Sequence, residues 1–112
     1  MALYNITTEE GFGDKVLGST KTVLVDFWAP WCPPCRAMAP GLESLAKSMD
    51  KDLDVVKVDI EASSENRQLA NKYGVRGIPN MQVFQHGDVV EELVGMRPEH
   101  VLEHELRSII DK

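Results

Sequence analysis

Thr22-Val23-Leu24-Val25-Asp26-Phe27-Trp28-Ala29-Pro30-Trp31-Cys32-Pro33-Pro34-Cys35 is the stretch that decides the fold. Its first eight residues form a near-continuous β-branched and aromatic run, the pattern of a strand covered on both faces in a largely parallel sheet. Pro33 and Pro34 suit the first turn of a helix, where the N–H that proline lacks would be unpaired anyway. The stretch therefore predicts a strand, a tight turn and a helix that carries a Cys-x-x-Cys pair at its N-terminus. A thiol placed there meets unpaired backbone N–H groups and the positive end of the helix dipole, which favour the thiolate. The thiolate is the nucleophilic form. A structural disulfide gains most by closing a long loop, and this pair closes almost none. A tetrahedral zinc site needs four ligands, yet Cys32 and Cys35 are the only cysteines, and His86, His100 and His104 lie far along the chain. The pair reads as a redox dithiol.

Working outward, 112 residues predict one domain, 1–112, large enough to bury a core without disulfide staples. Twelve Lys and Arg against eighteen Asp and Glu leave a formal net charge of −6, which would repel a nucleic-acid backbone or an anionic membrane. The start of the chain has neither the basic residues nor the apolar core of a signal peptide. No segment approaches the roughly 20 apolar residues of a membrane span. A cytoplasmic location follows as the expectation, and in a reducing cytosol a cysteine pair is catalytic rather than structural.

The coarse pattern is β-α-β-α-β-α-β-β-α. Residues 2–6 read as a short strand, and Thr7 or Thr8 as the cap of a helix reaching about residue 19, with Gly11 and Gly13 weakening its regularity. The helix opened by Pro33 should run to about Met49 with a kink at Pro40. Leu53 to Asp59 reads as a strand, and residues 64–73 as a helix ended by Gly74. Asn80 to Gln85 and Val89 to Val94 flank His86-Gly87-Asp88, a hairpin signal. A last helix from about Pro98 carries Val101, Leu102, Leu106, Ile109 and Ile110 on one stripe. Crossover helices and a closing hairpin make this an α/β protein with a mixed sheet and helices on both faces.

Val25 to Cys35, Pro40, Val56-Lys57-Val58-Asp59, Tyr73-Gly74-Val75-Arg76-Gly77-Ile78-Pro79, Phe84 with Gly87, and Val94-Gly95 together resemble a thioredoxin, in order and over essentially the whole chain. The resemblance implies the thioredoxin fold, a mixed five-stranded sheet flanked by four helices. It departs from the family twice. Pro33 stands where the usual turn has Gly, which removes one more N–H near the Cys32 sulfur and stiffens the turn. Asn80-Met81-Gln82 stands where the family places Thr and then apolar residues, so a buried Gln82 needs a hydrogen-bond partner.

Access assigns Cys32, nearest the helix start, as the exposed attacking thiolate, and Cys35 as the thiol that resolves the mixed disulfide. Asp26, inside an apolar strand, should be buried with a raised pKa. The resemblance implies that it exchanges a proton with Cys35, with Lys57 close by; read from the residues alone, a structural acid paired to Lys57 competes. The resemblance also implies a cis bond before Pro79, with Ile78 offering backbone to an extended substrate. Trp28 should pack on the active-site helix. Trp31 should be partly exposed and, with Pro33, Pro34, Gly77, Ile78, Gly95, Val75 and Met96, form a shallow docking patch around Cys32. His100 and His104 share a helix face without a third ligand, so no metal site is expected.

The resemblance implies a monomeric protein-disulfide reductase that binds no cofactor itself. Its electrons come from a thioredoxin reductase, a flavin enzyme using NADPH. Two rivals remain. One is a specialised thiol-disulfide exchange protein, since Trp-Cys-Pro-Pro-Cys also resembles turns in cytochrome-maturation proteins and nucleoredoxins. The other is a non-redox interaction subunit.

Overall fold

The computed structural model describes residues 2–112. The strands are β1 (Leu3–Asn5), β2 (Thr22–Trp28), β3 (Leu53–Asp59), β4 (Asn80–Gln85) and β5 (Asp88–Val94). The helices are α1 (Glu9–Phe12, passing into a π-helical turn over Gly13–Leu17), α2 (Pro33–Ser48), α3 (Ser64–Lys72) and α4 (Glu99–Ile110). The sheet runs β1-β3-β2-β4-β5. β1, β3 and β2 are parallel, while β4 is antiparallel to both β2 and β5. This is the mixed five-stranded sheet with four helices that the sequence predicts.

Strand alternation divides the core in two. Leu24, Val55, Met81 and Val83 face α2 and α4, where Leu42, Leu45, Leu102 and Leu106 meet them. Val25, Phe27, Val56 and Phe84 face the other way, onto Phe12, Val16 and Leu69 from the α1 and α3 side. Phe12, Tyr73 and Phe84 form a tilted and edge-on aromatic trio with centroids 5.3–5.8 Å apart. β2 lies at the centre and is buried along Thr22–Phe27.

The first helix departs from its expected form. Thr8 caps it, accepting the Gly11 N–H at 2.9 Å. From Gly13 the turns widen to a π-helix, which still turns Phe12 and Val16 inward. Met49 is the C-cap of α2, which runs through Pro40 without interruption. Ser63 caps α3 by accepting the Asn66 N–H at 3.0 Å, and Gly74 follows with φ +71. The hairpin is tighter than expected: β5 already begins at Asp88, leaving His86 (φ 54) and Gly87 (φ 85) as a two-residue turn. Two positive φ values in succession match the strand twist. On α4, Val101 lies outside the buried stripe and is 39% exposed, since Leu102 and Leu106 take the core-facing positions. Pro98 sits just before that helix as its N-cap.

Candidate active site

The β2–α2 turn delivers both cysteines. Cys32 is the N-cap of α2, and Pro33 and Pro34 fill the first two helical positions. Neither proline has an N–H, so Cys35 supplies the first amide donor of the helix. It donates to Cys32 Sγ at 3.3 Å. The next amide, on Arg36, donates to the Cys32 carbonyl at 3.1 Å. The double proline thus leaves one helix N–H aimed at the sulfur. The two cysteines are joined as a disulfide, with Cα atoms 5.3 Å apart.

Burial does not separate the pair as the sequence suggested: Cys32 is 3% and Cys35 4% exposed. Ala29, Ile60, Ile78 and Trp28 pack around both. Position separates them instead. Cys32 lines an open groove of about 480 Å³, and Cys35 is not among its lining residues. A partner in the groove therefore meets Cys32 first.

Trp31, 59% exposed, stands at the groove with Pro33, Pro34, Val75, Gly77 and Ile78, all anticipated from the sequence. Its indole N–H donates to Glu61 Oε2 at 2.8 Å. The Ile78 carbonyl oxygen lies 4.0 Å from Cys32 Sγ. The Ile78–Pro79 bond is cis, as the resemblance implied. Gly95 and Met96 lie outside this groove. Gly95, at φ +91, donates its N–H to the Pro79 carbonyl at 2.9 Å and so ties down the residue that follows Ile78. Met96 belongs to a separate cleft with Met38, Leu42, Pro98 and Leu102. Ile60 and, on α3, Arg67, Ala70 and Asn71 line the groove without having been anticipated, as does Arg76. The i, i+3, i+4 spacing of the α3 trio marked one helix face. Nothing in the sequence said that this face turns toward the cysteines.

Asp26 lies beneath α2. It pairs in register with Lys57 on β3 and Met81 on β4, on the sheet face that carries Leu24 and Val55. Asp26 is 3% exposed, and burial pushes its pKa from 3.8 up to about 6 against the opposing pull of the Lys57 ammonium. Lys57 does not pair with it directly, since none of the ion pairs among the described residues includes Asp26. The ammonium instead sits 4.3 Å from the centroid of the Trp28 ring. The buried Trp28 Nε1 has no hydrogen-bond partner among the described residues.

Asn80 and Gln82 project to the opposite face, both 2% exposed. The partner that the sequence could not supply is the Tyr73 carbonyl, which accepts the Gln82 amide N–H at 3.0 Å. Gln82 also donates to Asn80 Oδ1 at 3.2 Å, and Asn80 donates to Glu92 Oε2 at 3.0 Å. This amide chain ties the centre of the sheet to the start of the Gly74–Ile78 segment.

Among the described residues, no group of three or more His, Cys, Asp or Glu is placed to hold a metal ion. No helix of the described residues is long and apolar enough to cross a membrane.

A family model described as Thioredoxin matches residues 4–108. Thioredoxin 1 of Nostoc sp. (strain PCC 7120 / SAG 25.82 / UTEX 2576) is 42% identical over 101 residues, covering 90% of this chain and 92% of that protein. Thioredoxin of Bacillus subtilis (strain 168) is 44% identical over 96 residues, covering 86% and 88%. Thioredoxin 1 of Synechococcus elongatus is 40% identical over 106 residues, covering 95% and 96%.

Proposed function

The chain belongs to the thioredoxin family and is a thiol-disulfide oxidoreductase, and from that premise we propose that it serves as a general protein-disulfide reductase. The observation that carries this reading is the asymmetry of the pair: Cys32 borders the open groove and Cys35 does not. In the dithiol state the Cys32 thiolate accepts the Cys35 N–H and attacks one sulfur of a substrate disulfide. An S–S bond forms between Cys32 and the substrate while the second substrate sulfur leaves as a thiolate. Cys35 then loses its proton to Asp26 and attacks Cys32 Sγ. The Cys32–Cys35 disulfide forms and the other substrate thiol is released, so two electrons have passed to the substrate.

Asp26 suits that proton transfer because a carboxyl with a pKa near 6 is close to balance at neutral pH. Lys57 tunes it as a neighbouring charge. The backbone of Gly77 and Ile78 offers an extended substrate a strand-like edge beside Cys32, with Trp31, Pro33 and Pro34 as apolar contacts. Pro79 and Gly95 hold that edge in place, while Trp28 and Pro40 belong to the scaffold under the turn. The oxidised carrier, a single 112-residue domain working as a cytoplasmic monomer, is reduced again by a flavin-dependent thioredoxin reductase drawing on NADPH.

Turnover of insulin disulfides with dithiothreitol as electron donor tests the roles. Cys32→Ser should abolish reduction. Cys35→Ser should accumulate a mixed disulfide at Cys32, visible by mass spectrometry. Trapping at residue 35 in Cys32→Ser would reverse the assignment.

A further inference from the structure

The walls of the Cys32 groove differ in kind. Trp31, Pro33, Pro34 and Ile78 are among its apolar lining, whereas Arg67 and Asn71 from α3 and Arg76 from the loop after it supply the polar lining. Both arginines are exposed, and neither takes part in an ion pair among the described residues. Among the described residues, no acidic one lines the groove. Glu61, bonded to the Trp31 indole at 2.8 Å, stands beside it with its carboxylate engaged. This concentration of positive charge occurs on a chain of net charge −6. At the scale of the whole molecule an anionic partner is repelled. The charged side chains that line the groove are both guanidinium groups, which grip carboxylates bidentately and whose field reaches about 8–10 Å before salt screens it.

We propose that the groove selects disulfides carried by acidic, extended peptide segments, with Arg67 and Arg76 receiving the carboxylates that flank the attacked cystine. This refines the reductase reading and rests on it. Asn71 adds neutral amide donors and acceptors four residues beyond Arg67 on the same helix face. The apolar lining holds the substrate backbone near Ile78, and the arginines set which flanking sequence is favoured. Attraction between exposed charges is modest, so the selection is a preference in rate rather than an absolute filter.

The test uses the full chain, reduced and freed of reductant, with three disulfide peptides of equal length whose flanking residues are acidic, neutral or basic. Second-order rate constants at low ionic strength should favour the acidic peptide over the basic one by about three- to tenfold. Raising salt to about 1 M should bring the ratio close to one. In the Arg67→Gln, Arg76→Gln double variant the ratio should fall below one, since the acidic remainder of the chain then dominates. A control with the same charge change, Lys47→Gln with Lys51→Gln, should keep the wild-type ratio. An acidic-to-basic ratio of one or less in the wild type overturns the proposal, as does an equal loss of preference in the lysine control, which would assign it to bulk charge. Failure to reduce even uncharged hydroxyethyl disulfide would instead sink the reductase reading.

Discussion

Asp26 and the Asn80–Gln82 pair are neighbours in the centre of one sheet, and they are treated in opposite ways. Met81, the register partner of Asp26, lies between the two amides in sequence, and alternation sends them to the other face. All three polar side chains are 2–3% exposed. The amides are bonded in series, from Glu92 through Asn80 and Gln82 to the Tyr73 carbonyl. Among the described residues Asp26 has no ion-pair partner, and its pKa is displaced to about 6. A satisfied buried amide contributes structure. A desolvated acid carries a free-energy cost that persists only where something else is gained. The same burial thus separates a structural pair from a group held ready to take a proton.

The sharpest way to break this comparison is Asp26→Asn. The folded state holds its proton up to about pH 6, while the unfolded chain releases it near 3.8. Between those values the unfolded state is ionised and the folded one is not, so wild-type stability falls as pH rises. Above about pH 6 both are ionised and the penalty is constant. Each pKa unit is worth about 1.4 kcal/mol, so the neutral variant should gain roughly 3 kcal/mol at pH 7 and nothing below pH 3. Urea unfolding of both proteins across pH 3–8 measures this. The same variant should turn over more slowly and lose any rate inflection near pH 6. Equal stability at every pH would mean that the carboxylate is solvated after all.

Gln82→Leu probes the other side and should act in the opposite direction. It leaves the Tyr73 carbonyl and Asn80 Oδ1 without their donor, which costs about 1–3 kcal/mol. The loss should be the same at pH 4 and pH 7, because neither Gln82 nor the two groups it donates to, the Tyr73 carbonyl and Asn80 Oδ1, carries a titrating proton. A pH-dependent loss would show that the amide chain communicates with a titrating group and would erase the distinction.

Sequence legibility follows the same division. Cys32, Cys35, Asp26 and the strand under them could be read because each sits in a local pattern: a helix start, or an acid inside an apolar run. The order of elements was readable for the same reason. What escaped needed the third dimension. The Gln82 acceptor lies nine residues away on a backbone carbonyl, and backbone carbonyls leave no trace in a pattern of side chains. The α3 wall of the groove showed a helical face without showing what it faced. The equal burial of the two cysteines was missed because α2 starts inside the packed shell of Ala29, Ile60 and Ile78 rather than at its surface. The π-helical turn after Phe12 was hidden because Gly11 and Gly13 signal irregularity without specifying its form.

The smallest effect, and the most discriminating, concerns Lys57. Its ammonium is drawn to two neighbours at once: it lowers the Asp26 pKa through space, and it stacks on Trp28 at 4.3 Å. Lys57→Met keeps the aliphatic stem and deletes the charge. The downward pull on Asp26 then disappears while the desolvation remains, so the Asp26 midpoint should move upward from about 6. Loss of the cation–π contact should itself cost about 0.5–1 kcal/mol. Following the Asp26 carboxyl carbon by NMR through a pH titration separates the two roles, because stability alone would register both. An upward midpoint makes Lys57 part of the proton-handling group. An unmoved midpoint with lower stability would leave Lys57 as a brace for Trp28 and make desolvation the whole cause of the Asp26 shift.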